Sequence, residues 1–438
     1  MSTTPASWGR YPSARAASVL RLDNRNAELP ATRTPMLIHG NGRSYGDVCL
    51  NDGGSVLLGR GLDRFIDFDG ENGVLRAEAG VLLAEILDLV VPLGWFLPVT
   101  PGTRLVTLGG AIANDVHGKN HHRAGTFGHH LRAFELLRSD GSRRRCTPTE
   151  NADWFAATVG GLGLTGLITW VEIQLQRIPS AMLDVSRRRF TRLEEFFALA
   201  DAAEAREEFT VAWVDCAARG AALGRGILAA ASFASGSAAR SAVPRARRAL
   251  RVPWTPPIAL INPLSLQLFN AAYYRQPVGD TREHYLPFFY PLDAIGEWNR
   301  IYGPRGFVQY QCVVPPANSL AATRELLERI AASGQGSFLA VLKRFGDRPS
   351  LGMLSFARPG TTIALDFPML GARTLQLLDT LDAVVAEAGG AIYPAKDARM
   401  SAALFRRGYP GLQGFLPYRD PAFSSGFWTR LFGHHGDP

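Results

Sequence analysis

Apolar and polar positions change rhythm near residue 180. Before it the chain reads as short strands, glycine turns and a few helices. Gly73 to Ala79 alternates with period two and predicts a strand; Val81 to Val91 has apolar residues at helical spacing until Pro92 stops it. Pro35 to Ile38 and Gly53 to Leu58 are strand-like runs, and the glycine turn Ala156 to Gly166 feeds an alternating strand from Leu167 to Leu175. Beyond 180, strands at Phe307 to Val314 and Ser337 to Leu342 interleave with helices near 319–333 and 373–388. That order predicts an α+β fold, with an antiparallel sheet covered by helices on one face. Residues 235–288, rich in Pro, Arg and aromatics, carry no clear period and predict an irregular insert, a lid or a disordered loop. No internal repeat is present.

Two glycine-rich segments stand out, Ile38-His-Gly-Asn-Gly-Arg-Ser-Tyr-Gly-Asp47 and Pro101-Gly-Thr-Arg to His121-His122. They look like two walls of one cofactor pocket. The first fails as a Rossmann fingerprint: Tyr45 stands where the third glycine belongs, and turn and strand follow instead of a helix. In the second, Gly109 and Gly110 lead into Ala111, Ile112 and Ala113, small residues that let backbone amides approach a pyrophosphate. It ends in His117, Lys119, His121 and His122, which suggests chemistry beside a bound cofactor. A structural turn carrying surface histidines fits the same spacing.

Length and charge narrow the partners. At 438 residues the chain exceeds one ordinary core, so two domains are expected. Lys and Arg total 47 against 39 acidic residues, a formal charge of +8 that favours anionic partners. Nucleic acid is disfavoured, since no helix-turn-helix, zinc-ligand or RNP-type pattern occurs. The basic run from Arg240 to Arg251, with Arg245, Arg247 and Arg248, reads as a solvated loop or as a contact with membrane head groups. Cys49, Cys146, Cys216 and Cys312 are too scattered for a disulfide framework or a zinc site. Neither a secretory leader nor a membrane span is evident, so a cytoplasmic protein is expected, with peripheral contact at the inner membrane face.

Several strings occur together and in order: Gly42-Arg-Ser-Tyr-Gly-Asp47, Pro101-Gly-Thr-Arg104, His117-Gly-Lys-Asn-His-His122, Gly296-Glu-Trp-Asn-Arg300, Gln309-Tyr-Gln311 and Asp366-Phe-Pro368. With these the chain resembles the flavin oxidoreductases of the vanillyl-alcohol oxidase type, and within them the decaprenylphosphoryl-β-D-ribose 2'-oxidase group. The resemblance runs from Trp8 to the C-terminus and weakens between about 181 and 285. It implies a two-domain FAD-binding fold: residues 1–178 as the FAD domain, 179–410 as an inserted antiparallel-sheet substrate domain, and 411–438 returning to the first. FAD would lie against Ile38, His39, Gly40, Asn41, Gly42, Arg43, Ser44, Tyr45, Gly46 and Asp47 of the first segment. The second segment would add Gly102, Thr103, Thr107, Leu108, Gly109, Gly110, Asn114, Asp115, Val116 and His117, with Ile168 and Tyr418 from elsewhere. Tyr45 takes the place of a histidine that many relatives bond to the flavin, which implies noncovalent FAD.

The implied chemistry is hydride transfer from a secondary alcohol of a sugar to the flavin. His117, Lys119, Gln311 and Lys343 are the implied catalytic residues, with Tyr45, Trp213, Phe289, Phe345, Thr362 and Arg419 around the substrate. Taken alone, Gln311 reads as a sheet residue and Lys343 as an exposed strand end. The implied substrate is a polyprenyl-phosphoryl ribose, whose ketone would pass to a separate NAD(P)H-dependent keto-reductase. Departures occur. Ala364 replaces a group-specific cysteine, and Thr362 replaces an asparagine. The C-terminal motif Leu416-Pro-Tyr-Arg-Asp-Pro421 lacks a lysine before its aspartate, with Arg419 as the substitute cation. An aldonolactone or alditol oxidase, and a flavin-binding scaffold without catalysis, are the rival readings.

Overall fold

The computed structural model describes residues 5–235 and 250–433. Three sheets organise it. Ser18–Arg21, Ser55–Leu58 and Met36–His39 form a small parallel sheet. Phe65–Asp69, Val74–Glu78, Leu167–Gln174, Leu131–Leu137 and Arg143–Cys146 pair in that order as an antiparallel sheet. The local code is plain in the helix Leu83–Val90: Leu83, Ile86, Leu87 and Val90 are buried at helical spacing, and the Leu82 amide donates to Glu85 at 2.7 Å.

The largest sheet is antiparallel and has eight strands. Its order is Asp280–His284, Met182–Phe190, Gly226–Phe233, Phe209–Val214, Val341–Phe345, Gly360–Pro368, Phe307–Val314 and Ala391–Ile392. Helices Leu193–Glu204, Ser319–Ser333 and Ala372–Glu387 pack on one face, and Cys312, Leu342, Ile363, Leu365 and Phe367 point into that core. Because side chains alternate across a strand, Gln309, Gln311, Val341, Lys343, Ala364 and Asp366 must emerge on the opposite face. That face lines a cavity.

After Ile392 the chain turns back to the small sheet. The Tyr45 amide donates to the Ala395 carbonyl at 3.0 Å, and Met36 bonds Ala422 and Ser424 through backbone at 2.7 and 2.8 Å. Arg430, on the last described helix, bridges Asp47 and Asp397 at 2.7 Å each. The chain thus touches the first glycine segment at residue 395, after which the helix Ala402–Gly408 packs back on Ala391–Ile392 and Ala372–Glu387.

Two expectations are corrected. Ser337–Ala340 is not strand, because the Ser337 hydroxyl accepts from the Leu339 amide and the Phe338 carbonyl is taken by the Trp213 indole; the strand starts at Val341. The stretch 250–288 is not irregular: it holds a helix, Pro263–Arg275, capped by the Asn262 side chain, and the edge strand Asp280–His284. Of the basic run, Arg240, Arg245, Arg247 and Arg248 lie outside the described residues.

Candidate active site

The two glycine segments interlock. Gly42 has φ +60, and a Cβ there would meet the Ala6 carbonyl at 2.7 Å. A Cβ on Gly46 would fall 1.6 Å from the Asp397 carbonyl oxygen, and one on Gly40 2.6 Å from the Thr107 hydroxyl. Thr107 caps the short helix Leu108–Ala113 by accepting from the Gly110 amide, and Asn41 reaches across to donate to the Leu105 carbonyl at 2.7 Å. Between these walls and the large sheet lies a cavity of about 630 Å³.

The walls fit an extended dinucleotide. Ile38, Gly40, Asn41, Gly42, Arg43, Ser44, Tyr45, Gly102, Thr103, Thr107, Gly109, Gly110, Asn114, Val116, His117 and Ile168 all line the cavity. Arg43 lays its guanidinium over Trp8 at 4.2 Å, yet its Nε is buried without a partner among the described residues, as is Asn114 Oδ1. Buried polar atoms left unpaired in a glycine cradle are what a phosphate-bearing ligand would satisfy.

Other members of the expected set stand behind the wall. His39 bonds the Cys49 carbonyl through Nδ1 at 2.9 Å, and Asp47 pairs with Arg430. Gly46 is pressed against Asp397, and Leu108 is core. Asp115 accepts from the Ser355 hydroxyl at 2.6 Å and the Gly128 amide at 2.9 Å. They shape the loops and do not face the cavity. Tyr418 packs its ring on Trp154 at 5.0 Å, and Arg419 lies over Trp428 at 5.2 Å. Neither lines the cavity, so Arg419 does not supply the missing cation.

At the other end the chemistry converges on His117. Gln311 Nε2 lies 3.0 Å from its Nε2, and Lys343 Nζ lies 3.2 Å from its Nδ1 and 3.3 Å from the Gly118 carbonyl. Burial, then the Lys343 charge, hold the imidazole well below its usual pKa, so it is neutral. A neutral imidazole has one donor and one acceptor nitrogen. When Lys343 is an ammonium it donates to Nδ1, Nε2 carries the proton, and Gln311 turns its carbonyl oxygen inward. When Lys343 is neutral the arrangement can reverse.

Thr362 and Phe345 serve this cluster instead of the cavity. The Thr362 hydroxyl lies 3.2 Å from the inner end of the Gln311 amide, accepting from its nitrogen or, when the amide is turned, donating to its oxygen, and Phe345 packs edge-on against His117 at 4.7 Å. Ala364 does face the cavity, opposite Gln311 on one neighbouring strand and Val341 on the other. Lys119 donates to the Phe289 carbonyl at 3.0 Å, and Trp213 and Phe289 form apolar lining. His121 is buried against Phe345, and the half-buried His122 bonds the Glu207 carbonyl.

Sequence reasoning missed Lys396. It lines the cavity with its Nζ 3.9 Å from the Tyr45 ring centre. Tyr393-Pro-Ala-Lys-Asp397 places a lysine immediately before an aspartate, the signal sought later in the chain around Arg419. Burial pushes Lys119 down to about 8, and Lys343 and Lys396 to about 7 each. Asp366, held by Gln309 at 2.6 Å and Tyr302 at 3.2 Å, is pushed up to about 6 by burial. Three lysines thus surround one cavity.

Known proteins resemble this chain. Residues 15–147 match the model of an FAD binding domain. The chain is 36% identical to the decaprenylphosphoryl-β-D-ribose oxidase of Mycolicibacterium smegmatis, over 97% of this chain and 96% of that protein. Shorter matches include mouse L-gulonolactone oxidase, 31% identical over 31% of this chain and 30% of the relative. Human Δ(24)-sterol reductase is 34% identical over 25% of this chain and 21% of its own length.

Proposed function

The chain belongs to the FAD-linked oxidoreductases of the vanillyl-alcohol oxidase type and is an FAD-dependent oxidase of CH–OH groups; from that premise we propose that it oxidises a sugar hydroxyl carried on a polyprenyl phosphate. The specific reaction in this reading is conversion of the 2'-hydroxyl of polyprenyl-phosphoryl-β-D-ribose to a ketone. A separate NAD(P)H-dependent keto-reductase would then complete epimerisation to the arabinose donor. Residues 1–178 with the returning C-terminal segment hold the cofactor, noncovalently since Tyr45 replaces a linking histidine, and the large sheet between them holds the sugar.

The chemistry that the cofactor supplies when bound is acceptance of the hydride from the alcohol carbon. The chain must orient the sugar and take the hydroxyl proton. Lys343, whose pKa of about 7 leaves much of it neutral at neutral pH, and neutral His117 at 3.2 Å from it are the proton-accepting pair. Gln311, steadied by Thr362, orients His117. Trp213 and Phe289 give the sugar an apolar wall, and Lys119 and Lys396 add positive charge.

One observation carries the reading: Lys119, Lys343 and Lys396 converge on a cavity where burial disfavours their charges. Anionic occupants relieve that penalty, and a dinucleotide with a phosphate-linked sugar supplies them. An aldonolactone or alditol brings no second anion. Anaerobic mixing of the holoenzyme with polyprenyl-phosphoryl ribose should bleach the flavin rapidly. No bleaching with that lipid, but rapid bleaching with a free alditol or aldonolactone, would overturn the proposal; bleaching with none of them would favour a scaffold. No helix among the described residues is long and apolar enough to cross a membrane, so contact with the inner face of the membrane in this reading is peripheral.

A further inference from the structure

Exposed large apolar side chains concentrate in one place among the described residues. Leu250, Trp254, Ile258 and Leu260 lead into the helix Pro263–Arg275, which presents Leu264 and Leu268, 66% and 64% exposed. The pair sits one turn apart on the outer face, with Ala272 exposed a turn further on. The inner face is anchored: Leu266 and Asn270 are buried, and Asn270 donates to Asp215 at 2.7 Å. The helix is thus apolar on both sides, which packing within this chain does not require.

The segment is fastened to the cavity rim. Leu250 pairs with Ile295 in a parallel bridge, and Ile295 is both exposed and cavity-lining. The Leu260 amide donates to the Ile301 carbonyl at 2.8 Å, and Arg300 donates to the Val252 and Pro253 carbonyls at 3.0 and 2.8 Å. From the exposed face an aromatic path leads inward: Phe269 stacks on Tyr273, and Tyr273 lines the cavity against Trp213 at 4.7 Å. Arg251, next to Leu250 in the chain, and Arg275, two turns beyond Leu268 on the same helix, are exposed, whereas Glu297 is engaged by Arg300 at 3.3 Å.

We propose that residues 250–269 with Ile295 form a docking face that seats the cavity mouth on an anionic lipid bilayer. Apolar side chains enter the head-group boundary, arginines meet the lipid phosphates, and a lipid-borne sugar passes along the Phe269–Tyr273 path without crossing water. The delivery role rests on the substrate reading above; the docking itself does not.

The test is co-sedimentation of the FAD-loaded full chain with vesicles of phosphatidylcholine, alone or with about one-third phosphatidylglycerol. The expected result is binding that prefers the anionic vesicles. The double variant Leu264→Gln, Leu268→Gln should partition at least about tenfold more weakly, and Arg251→Gln with Arg275→Gln should lose the anionic preference. Both should keep wild-type FAD content and thermal stability, since these side chains are exposed. Absence of vesicle binding by the wild-type protein, or unchanged binding by the leucine variant, would overturn the docking face. So would a wild-type dimer that the leucine variant converts to monomer, because a second copy would then cover it. A protein that binds vesicles through these leucines yet fails to oxidise polyprenyl-phosphoryl ribose supports the face and refutes the substrate.

Discussion

Replacing Lys396 by methionine tests whether the cavity is a reservoir of buried positive charge. In the ligand-free protein burial lowers Lys396 from 10.5 to about 7. At about 1.4 kcal/mol per pH unit, holding its charge inside costs on the order of 5 kcal/mol. What exposure Lys396 retains is towards the cavity, so water there makes this an upper bound. The sign follows from linkage. Below about pH 7 both folded and unfolded states bind the proton and the full cost is present. As pH rises from there towards 10.5, the unfolded chain binds more protons than the folded one, and the cost shrinks to nothing. Apoprotein stability should therefore rise with pH over that window. Lys396→Met should be the more stable apoprotein at neutral pH, with a slope shallower by about 1.4 kcal/mol per pH unit. Removing one charge also relieves Lys343, which Lys396 pushes down. The noncovalent FAD proposed above allows the apoprotein to be prepared, and chemical denaturation at a series of pH values gives both slopes. Parallel profiles for wild type and variant would show that Lys396 does not carry a buried charge, and the argument for anionic occupants would lose one of its three supports.

Three further outcomes are expected. Gly46→Ala, whose Cβ would fall 1.6 Å from the Asp397 carbonyl, should lose FAD and more than about 3 kcal/mol of stability, read as flavin content and unfolding midpoint; a normal flavin ratio would refute the close approach. Asp47→Asn should cost about 1 kcal/mol in denaturant unfolding, because Arg430 loses one of its two carboxylates but keeps Asp397 at 2.7 Å, and burial already disfavours the Asp47 charge. Flavin reduction by substrate should rise with pH through Lys343's deprotonation at about 7, or higher once anions are bound; Lys343→Met should abolish that limb, and His117→Ala should keep FAD yet reduce flavin about 10²- to 10⁴-fold more slowly. A pH-independent wild-type rate would remove Lys343 as proton acceptor.

Elements whose pattern is one-sided were legible. Phe307–Val314 and the helices Ser319–Ser333 and Ala372–Glu387 each bury one face against the same core, so period and packing agree. The helix Pro263–Arg275 was illegible because Leu264 and Leu268 face out while Leu266 faces in, leaving no polar side to define a period. The same ambiguity hid the site. On Phe307–Val314, Gln309 and Gln311 alternate with core residues as solvent-facing residues would, and alternation cannot distinguish water from an enclosed cavity. Only the resemblance singled out Gln311 and Lys343.

Lys396 had no local signal beyond Lys-Asp, because its place is set by distant closure. The backbone of Ala395 ties to Tyr45, and Asp397 sits against Gly46 with no room for a side chain. Those contacts bring a lysine from near the end of the chain to the ring of a residue near its start. Lys119 arrives on the second glycine segment and Lys343 on the sheet, so each cation comes from a different region. Net charge of +8 pointed to anionic partners, but it counted surface arginines and buried lysines alike. Surface charge is screened and worth little, whereas three lysines facing one cavity carry charge only at a cost, which a bound anion lowers. The cavity's preference for anions is thus a property of chain closure, and any substitution that opens the Gly46–Asp397 contact should weaken it even with all three lysines in place.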